Sequence, residues 1–251
     1  MPLYGKNLFG VNKLHANAYN NVVEEITVSE RKEKSSYITY LYNVLSAHVI
    51  RFGGRSELLL GDRSALIIRF SRDGSQIRTL VRDKVTEVIG IGYKYEYLTS
   101  RLNVALSKRE RKLLCSALIA ADLEGDRAYI RRKLEKAEEY SIDGFYHFRL
   151  APLREKWDRI LSYIPDSFTS SDLKKFCEFL VGESKNKIYI KGNTVFGENF
   201  TPLKRSRLTG EEDTEIEIML SDAGFVYCLG QVEDSVGDFL QKYYAERAIF
   251  S

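Results

Sequence analysis

The sequence predicts an α+β fold in three successive parts: a small N-terminal α/β unit, a central helical region, and C-terminal antiparallel hairpins with a packed terminal helix. Three observations lead there. Between Val22 and Phe70, β-branched runs flank a segment of helical period. From Gly74 to about Glu183 the apolar residues recur at helical spacing, and from Lys187 onward alternating runs return. Two regions follow, residues 1–106 with the α/β unit and a long helix, and residues 107–251 with the later helices and the sheet.

After an N-terminal arm, VVEEITVSERK (22–32) alternates in part and carries β-branched residues, so it predicts a strand. SSYITYLYNVLSAHVIRFGG predicts a helix, with Ser35 or Ser36 as cap, Ile38, Leu41, Leu45 and Val49 on one face, and Gly53 as its stop. SELLL and SALIIRF predict strands joined at Gly61-Asp62. Ile77, Leu80, Val81, Val85 and Val88 then mark a helix that runs on through Tyr93, Tyr97 and Leu102, with Gly90 and Gly92 as the place for a break. The Gly-Ile-Gly there is no nucleotide loop, because such a loop follows a strand and opens a helix, and a third glycine is absent.

Ser107 followed three residues later by Glu110 is a capping box that opens a helix with Leu113, Leu114, Ala117, Leu118 and Ala121 inward. A second helix, about Asp126 to Tyr140, carries RRKLEKAEE, and the two are expected to lie antiparallel about a joint near Gly125. Asp143-Gly144 predicts a tight turn before PLREKWDRILSYI, an amphipathic helix with Pro152 in its first turn and Leu153, Trp157, Ile160, Leu161 and Ile164 on its apolar side. Thr169 to Ser171 cap the next helix, DLKKFCEFLVGE, with Leu173, Phe176 and Leu180 inward. KIYIKGNTVF predicts a hairpin about Gly192-Asn193, TEIEIML and FVYCL a second hairpin, and the terminal helix sets Val232, Val236, Phe239, Leu240 and Tyr243 on one face.

At 251 residues, 44% hydrophobic and 29% charged, the chain can bury one substantial core or two smaller ones, and only 4 Pro argue against a long linker. No run approaches the roughly 18 apolar residues of a membrane helix, and the N-terminus lacks the apolar stretch of a signal peptide. Cys115, Cys177 and Cys228 are far apart among apolar neighbours, which suits reduced, buried thiols and a cytoplasmic setting.

The net charge of +3 points to no partner, but its distribution is uneven. From Arg101 to Lys136 there are ten Lys/Arg against five Asp/Glu, a balance of +5; from Leu208 to the end there are two against ten, a balance of −8. Lys108, Arg109, Arg111 and Lys112 crowd a helix start, Arg131, Arg132 and Lys133 lie on the next helix, and Lys204, Arg205 and Arg207 follow in a loop. Converged, these groups would neutralise phosphates; alternatively, they pair with the acidic C-terminal region, which the ordinary pI near 8.6 favours. Glu211, Glu212 and Asp213 form a carboxylate run in an expected loop. His15, His48 and His147 show no metal-gathering spacing, and no nucleophile elbow, phosphate loop or kinase set is present, so the sequence assigns no catalytic residue, metal or cofactor.

SIDGFYHFRL (141–150) gathers three aromatics, a histidine and an arginine. The order LSKRER, LIAADL, a charged helix, IDGFYHFRL, a further helix and then FCEFL and NKIYI resembles the YtxC-like proteins of spore-forming Firmicutes, which carry a Gly-Phe-x-x-Phe-Arg-Leu signature between helices. Gly144, Phe145, Phe148, Arg149 and Leu150 match it over a likeness spanning roughly residues 75 to 195, with His147 where relatives tend to show Asn. The resemblance implies a sporulation setting and no activity. From the residues themselves, Phe145 and Phe148 are expected to anchor a helix start on the core, and Arg149 to span to a carboxylate or to helix-end carbonyls, with anion or partner recognition as its other role.

The sequence thus favours a non-catalytic cytoplasmic binding or scaffold protein with a protein partner. The competing class is a nucleic-acid or phosphate-binding protein using the basic helices at 108–112 and 131–133, and an enzyme ranks third.

Overall fold

A computed structural model of the chain describes residues 24–71, 74–135, 137 and 139–251. The expected N-terminal arm lies outside these residues, as does His15.

The fold is α+β, built on two mixed four-stranded sheets. In the first, β1 (Glu24–Arg31) pairs antiparallel with β3 (Arg63–Phe70), which pairs antiparallel with the edge strand β2 (Arg55–Leu59). Strict alternation sends Ile26 and Val28 of β1 and Leu66, Ile68 and Phe70 of β3 into the core. Helix α1 (Ser35–Arg51) covers that face with Ile38, Leu41, Leu45 and Val49, all fully buried, and Gly53 follows it at φ 76. Neither Ser35 nor Ser36 caps it, because a single 3₁₀ turn, Lys32–Lys34, leads straight from β1 into the helix.

The long helix does not break at Gly90 and Gly92. α2 (Ser75–Glu87) passes through a π-helical segment, Val88–Tyr93, into α3 (Lys94–Arg101). A π turn holds an extra residue, so side chains that a regular helix would place apart turn inward together. Glu87, Tyr93 and Lys94 are all buried as a result. Gly92 makes this packing feasible: a Cβ there would meet the Tyr37 ring at 2.7 Å. Tyr93 donates to Glu30 (2.5 Å), while Lys94 reaches Asp126 at 2.8 Å.

α4 (Lys108–Ala120) begins with the expected capping box, Ser107 with Glu110. α5 (Leu123–Leu134) starts earlier than expected, so the joint falls at Ala121 and Asp122 and Gly125 lies inside the first turn. The expected antiparallel pairing of these helices does not form: α5 packs against α2 and the π segment, α4 against α3 and later elements. Asp126 decides this placement. It accepts hydrogen bonds from Lys94, Lys156 and the Trp157 indole, tying α5 to α3 and to α7 (Ala151–Ser162).

Tyr140–Ser141 form β4, which pairs parallel with β1 and so returns the chain to the first sheet. Asp143 and Gly144 form no tight turn; they open a helix, α6 (Ile142–Arg149), where Asp143 accepts from Arg63 and suits the positive helix end. α8 (Ser170–Glu183) carries a second capping box, Thr169 with Asp172, and buries Leu173, Cys177 and Val181. Phe176 and Leu180 are half-buried at its edge.

The second sheet has the order β6-β5-β7-β8. The hairpin of β5 (Asn186–Lys191) and β6 (Thr194–Phe196) turns at Gly192-Asn193 as expected, with Gly192 at φ 56. The second expected hairpin is absent. TEIEIML is a helix, α9 (Thr214–Leu220), whose first amides at Glu215 and Ile216 are capped by Asp213. Its alternation misleads because Glu215 and Glu217 are not solvent-facing; both are buried on polar partners. β7 (Ala223–Cys228) therefore arrives from a helical crossover and pairs parallel with β5, so the sheet is mixed and not antiparallel. α10 (Asp234–Tyr243) packs Val236, Phe239, Leu240 and Tyr243 inward against α8 and α9. The chain ends as an edge strand, β8 (Ala248–Phe250), parallel to β7. Among the described residues no helix is long and apolar enough to cross a membrane.

Candidate functional site

The signature decamer serves the core with different residues than expected. Ile142, Tyr146 and Leu150 are buried and Phe145 is half-buried against the core, but Phe148 is 85% exposed. Within an eight-residue helix, Phe145 and Phe148 diverge enough that only one meets the interior. Arg149 is exposed and, among the described residues, bonds to no carboxylate or carbonyl. The helix-end role belongs to Arg154, one turn into α7, which donates to the carbonyls of Tyr146 and His147 and lies over the Tyr146 ring. Gly144 sits close to Ser141, where a Cβ would come within 3.0 Å of the hydroxyl. Partial desolvation, reinforced by the positive charges of Arg31 and Arg154, lowers the pKa of His147.

Of the three basic groups, two come together. Lys108, Arg109 and Lys112 face Lys204 and Arg207 across a cleft of about 970 Å³ between α4, the β5–β6 turn and the start of α9. The same walls carry Glu212, Asp213, Glu215, Glu217 and Glu233, five carboxylates against five cations, so the cleft offers no net positive field to phosphate. Arg109 pairs with Glu215, Lys112 with Glu211 and Arg207 with Glu212, the attraction between basic and acidic regions that the charge asymmetry allowed. Arg205 turns inward to Glu87. Burial disfavours ionisation of Glu87, yet Lys84, Arg205 and Arg127 outweigh it and hold the carboxyl down at about 2. Glu217 shows the opposite balance: burial pushes its pKa up despite the amide of Ser206 at 2.7 Å, and its second oxygen has no hydrogen-bond partner among the described residues.

The third group stands elsewhere. Arg131 pairs with Asp83 on α2, and Arg132 and Lys133 lie over the Tyr129 ring of their own helix. Arg111 is exposed beside a small recess that includes Tyr95 and Cys115. The three cysteines are buried and free, and burial raises all three thiols, those of Cys115 and Cys177 to about 12.

A different surface gathers aromatic side chains that are half-buried or, at Phe200, exposed. On β5, burial of Ile188 and Ile190 turns Lys187, Tyr189 and Lys191 to the opposite face, and on β7 burial of Val226 and Cys228 turns out Phe225 and Tyr227. Register then aligns Phe196, Tyr189, Tyr227 and Ile249 as one row across all four strands. The Tyr189 and Tyr227 rings stack at 5.4 Å, and Phe200 stacks on Tyr189 at 4.4 Å, with interplanar angles of 27° and 24°. None of these side chains packs against the hydrophobic core.

Phe200 reaches its place from a left-handed backbone, φ 57, which is uncommon for a bulky residue. A tight turn holds it there: its amide donates to the Gly197 carbonyl, and the Gly197 amide donates to the Thr201 carbonyl. Phe200 remains 57% exposed and Ile249 41% exposed. Lys187 and Lys191 flank Tyr189 on the same face, and neither has an ion-pair partner among the described residues. Arg247 lies 5.0 Å from the Phe225 ring. A nearby carboxylate, Glu198, accepts from the backbone amide of Lys187 at 3.3 Å.

No protein-family model matches the chain, and no curated protein or solved structure matches it either. The sheet face carries no dense run of charge in the sequence. Its signal was present in the alternation of KIYIK and FVY, which places aromatics and lysines opposite the isoleucines and valine.

Proposed function

We propose that this protein is a non-catalytic binding protein whose recognition surface is the outer face of the C-terminal sheet. The observation that carries this is the row Phe196, Tyr189, Tyr227 and Ile249, extended by Phe200, which stands apart from the core on four paired strands. Aromatic side chains supply much contact area at low entropic cost, and a contiguous patch of them on a surface marks an interaction site. The strained turn at Phe200 supports the same role, since left-handed conformations of non-glycine residues persist where their surroundings over-determine them and cluster at binding sites. Of the basic helices, α4 meets the acidic C-terminal region through Arg109 with Glu215 and Lys112 with Glu211, while α5 pairs Arg131 with Asp83. The resemblance to YtxC-like proteins suggests a sporulation-linked setting for this binding, and the three buried, free cysteines suit a cytoplasmic one.

A photo-crosslinking side chain introduced at position 227 in cells tests the surface, with the same group at position 132 on α5 as reference. A discrete adduct is expected at 227 and not at 132, and it should disappear when Phe200→Ser is added. Adducts only at 132, or none at 227, would overturn the proposal.

A further inference from the structure

We infer that the ligand of this face is single-stranded nucleic acid, its bases continuing the stack of Phe200, Tyr189 and Tyr227 and its phosphates running past Lys187 and Lys191. The inference rests on the binding role proposed above and names the partner.

Four features converge on it. Three near-parallel rings at 4.4 and 5.4 Å form a pile, and its Phe200 end is open to solvent. Every base has a π face, so such a pile is continued by any unpaired base, whereas duplex bases are already stacked on each other and cannot reach it. Lys187 and Lys191 stand on either side of Tyr189, separated by roughly 13 Å at about 3.3 Å per strand residue, a span that a few nucleotides of one strand cover. Among the described residues both ammonium groups lack an ion-pair partner, unlike Arg109, Lys112, Arg131 and Arg207, so they are available to phosphate.

The flanking charge also separates this ligand from an apolar protein segment. A segment that covered the row would bring apolar surface to two lysines and leave them desolvated without partners, which is costly. A polyanion with planar groups satisfies both the rings and the lysines. Arg247, held over Phe225 and donating to the Gly182 carbonyl at 3.0 Å, adds positive charge at the neighbouring row.

The experiment is fluorescence anisotropy of the purified full chain with labelled 12-nucleotide oligo-U, oligo-dT and a duplex of the same length, at low and moderate salt. Binding of the single strands over the duplex is expected, weakening steeply with salt. Phe200→Ala should weaken it by about tenfold or more, the scale of one lost base stack. Lys187→Ala with Lys191→Ala should lower the slope of log affinity against log salt by about 1.4, two contacts at roughly 0.7 each. Unchanged melting of each variant shows that the fold is intact, and charge reversal at Arg131, Arg132 and Lys133 should leave binding unchanged. Absence of single-strand binding at low salt, or binding insensitive to Phe200 and the two lysines, would overturn the inference. If crosslinking at position 227 persists while oligonucleotides fail to bind, the face is a binding surface for another class of ligand; if both fail, the binding role itself falls.

Discussion

Phe200 stacks on Tyr189 with ring centroids 4.4 Å apart, from a backbone held at φ 57. Its ring is more than half exposed, so the contact contributes little burial to offset the conformational cost of the left-handed backbone. Phe200→Gly separates the two effects. Glycine adopts this conformation without strain but widens the unfolded ensemble, so stability should change by less than about 1 kcal/mol while oligonucleotide binding weakens by about tenfold or more. Chemical denaturation alongside anisotropy reads both; a fall in stability of several kcal/mol would show that the ring is structural.

Asp126 is fully buried and gathers Lys94, Lys156 and the indole of Trp157. Asp126→Ala should destabilise the protein by about 3–5 kcal/mol, because it leaves Lys94 buried without its closest counter-charge. Asp122, 3.3 Å from Lys94, retains part of the attraction and sets the lower end of that range. A urea titration with Trp157, the chain's single tryptophan, as the probe would measure it.

Two buried carboxylates predict opposite pH responses. Glu87 has a folded pKa near 2, below its ordinary 4.5, so its contribution of about 3 kcal/mol is present above pH 4.5 and is lost as pH falls towards 2. Glu217 is raised by burial, so its contribution is present below pH 4.5 and is lost as pH rises through the folded value. Glu217→Gln should therefore raise stability at pH 7, by about 1 kcal/mol, with the gain vanishing below pH 4.5. Melting curves of the two proteins across pH 4 to 8 would test this; a constant or reversed difference would refute it.

Arg154 and Arg149 differ in what they hold. Arg154→Ala removes the bonds to the Tyr146 and His147 carbonyls and the contact with the Tyr146 ring, and should cost about 1–3 kcal/mol. Arg149→Ala should change stability by no more than about 0.5 kcal/mol, since the side chain is exposed and makes none of these bonds. Paired thermal melts would distinguish them, and an Arg149 variant as damaged as the Arg154 variant would contradict the placement.

The sequence by itself determined the elements whose causes are local. Ser107 with Glu110 caps α4, Thr169 opens α8, Gly192-Asn193 turns the hairpin, and the spacing of Ile38, Leu41, Leu45 and Val49 makes α1 one-faced. Each depends on hydrogen bonds or side-chain periodicity within a few residues, which a linear text records. Tertiary structure decided the rest. Glu215 lies in a helix and not a strand, its charge met by Arg109, 106 residues away. The π turn became tolerable because Glu30 and Asp126, distant in the chain, receive Tyr93 and Lys94. The row across the second sheet exists only because a helical crossover set β7 parallel to β5 and the last residues closed on β7. Such partners are chosen by packing and register, whose energies depend on which distant groups meet, and no local pattern encodes that meeting.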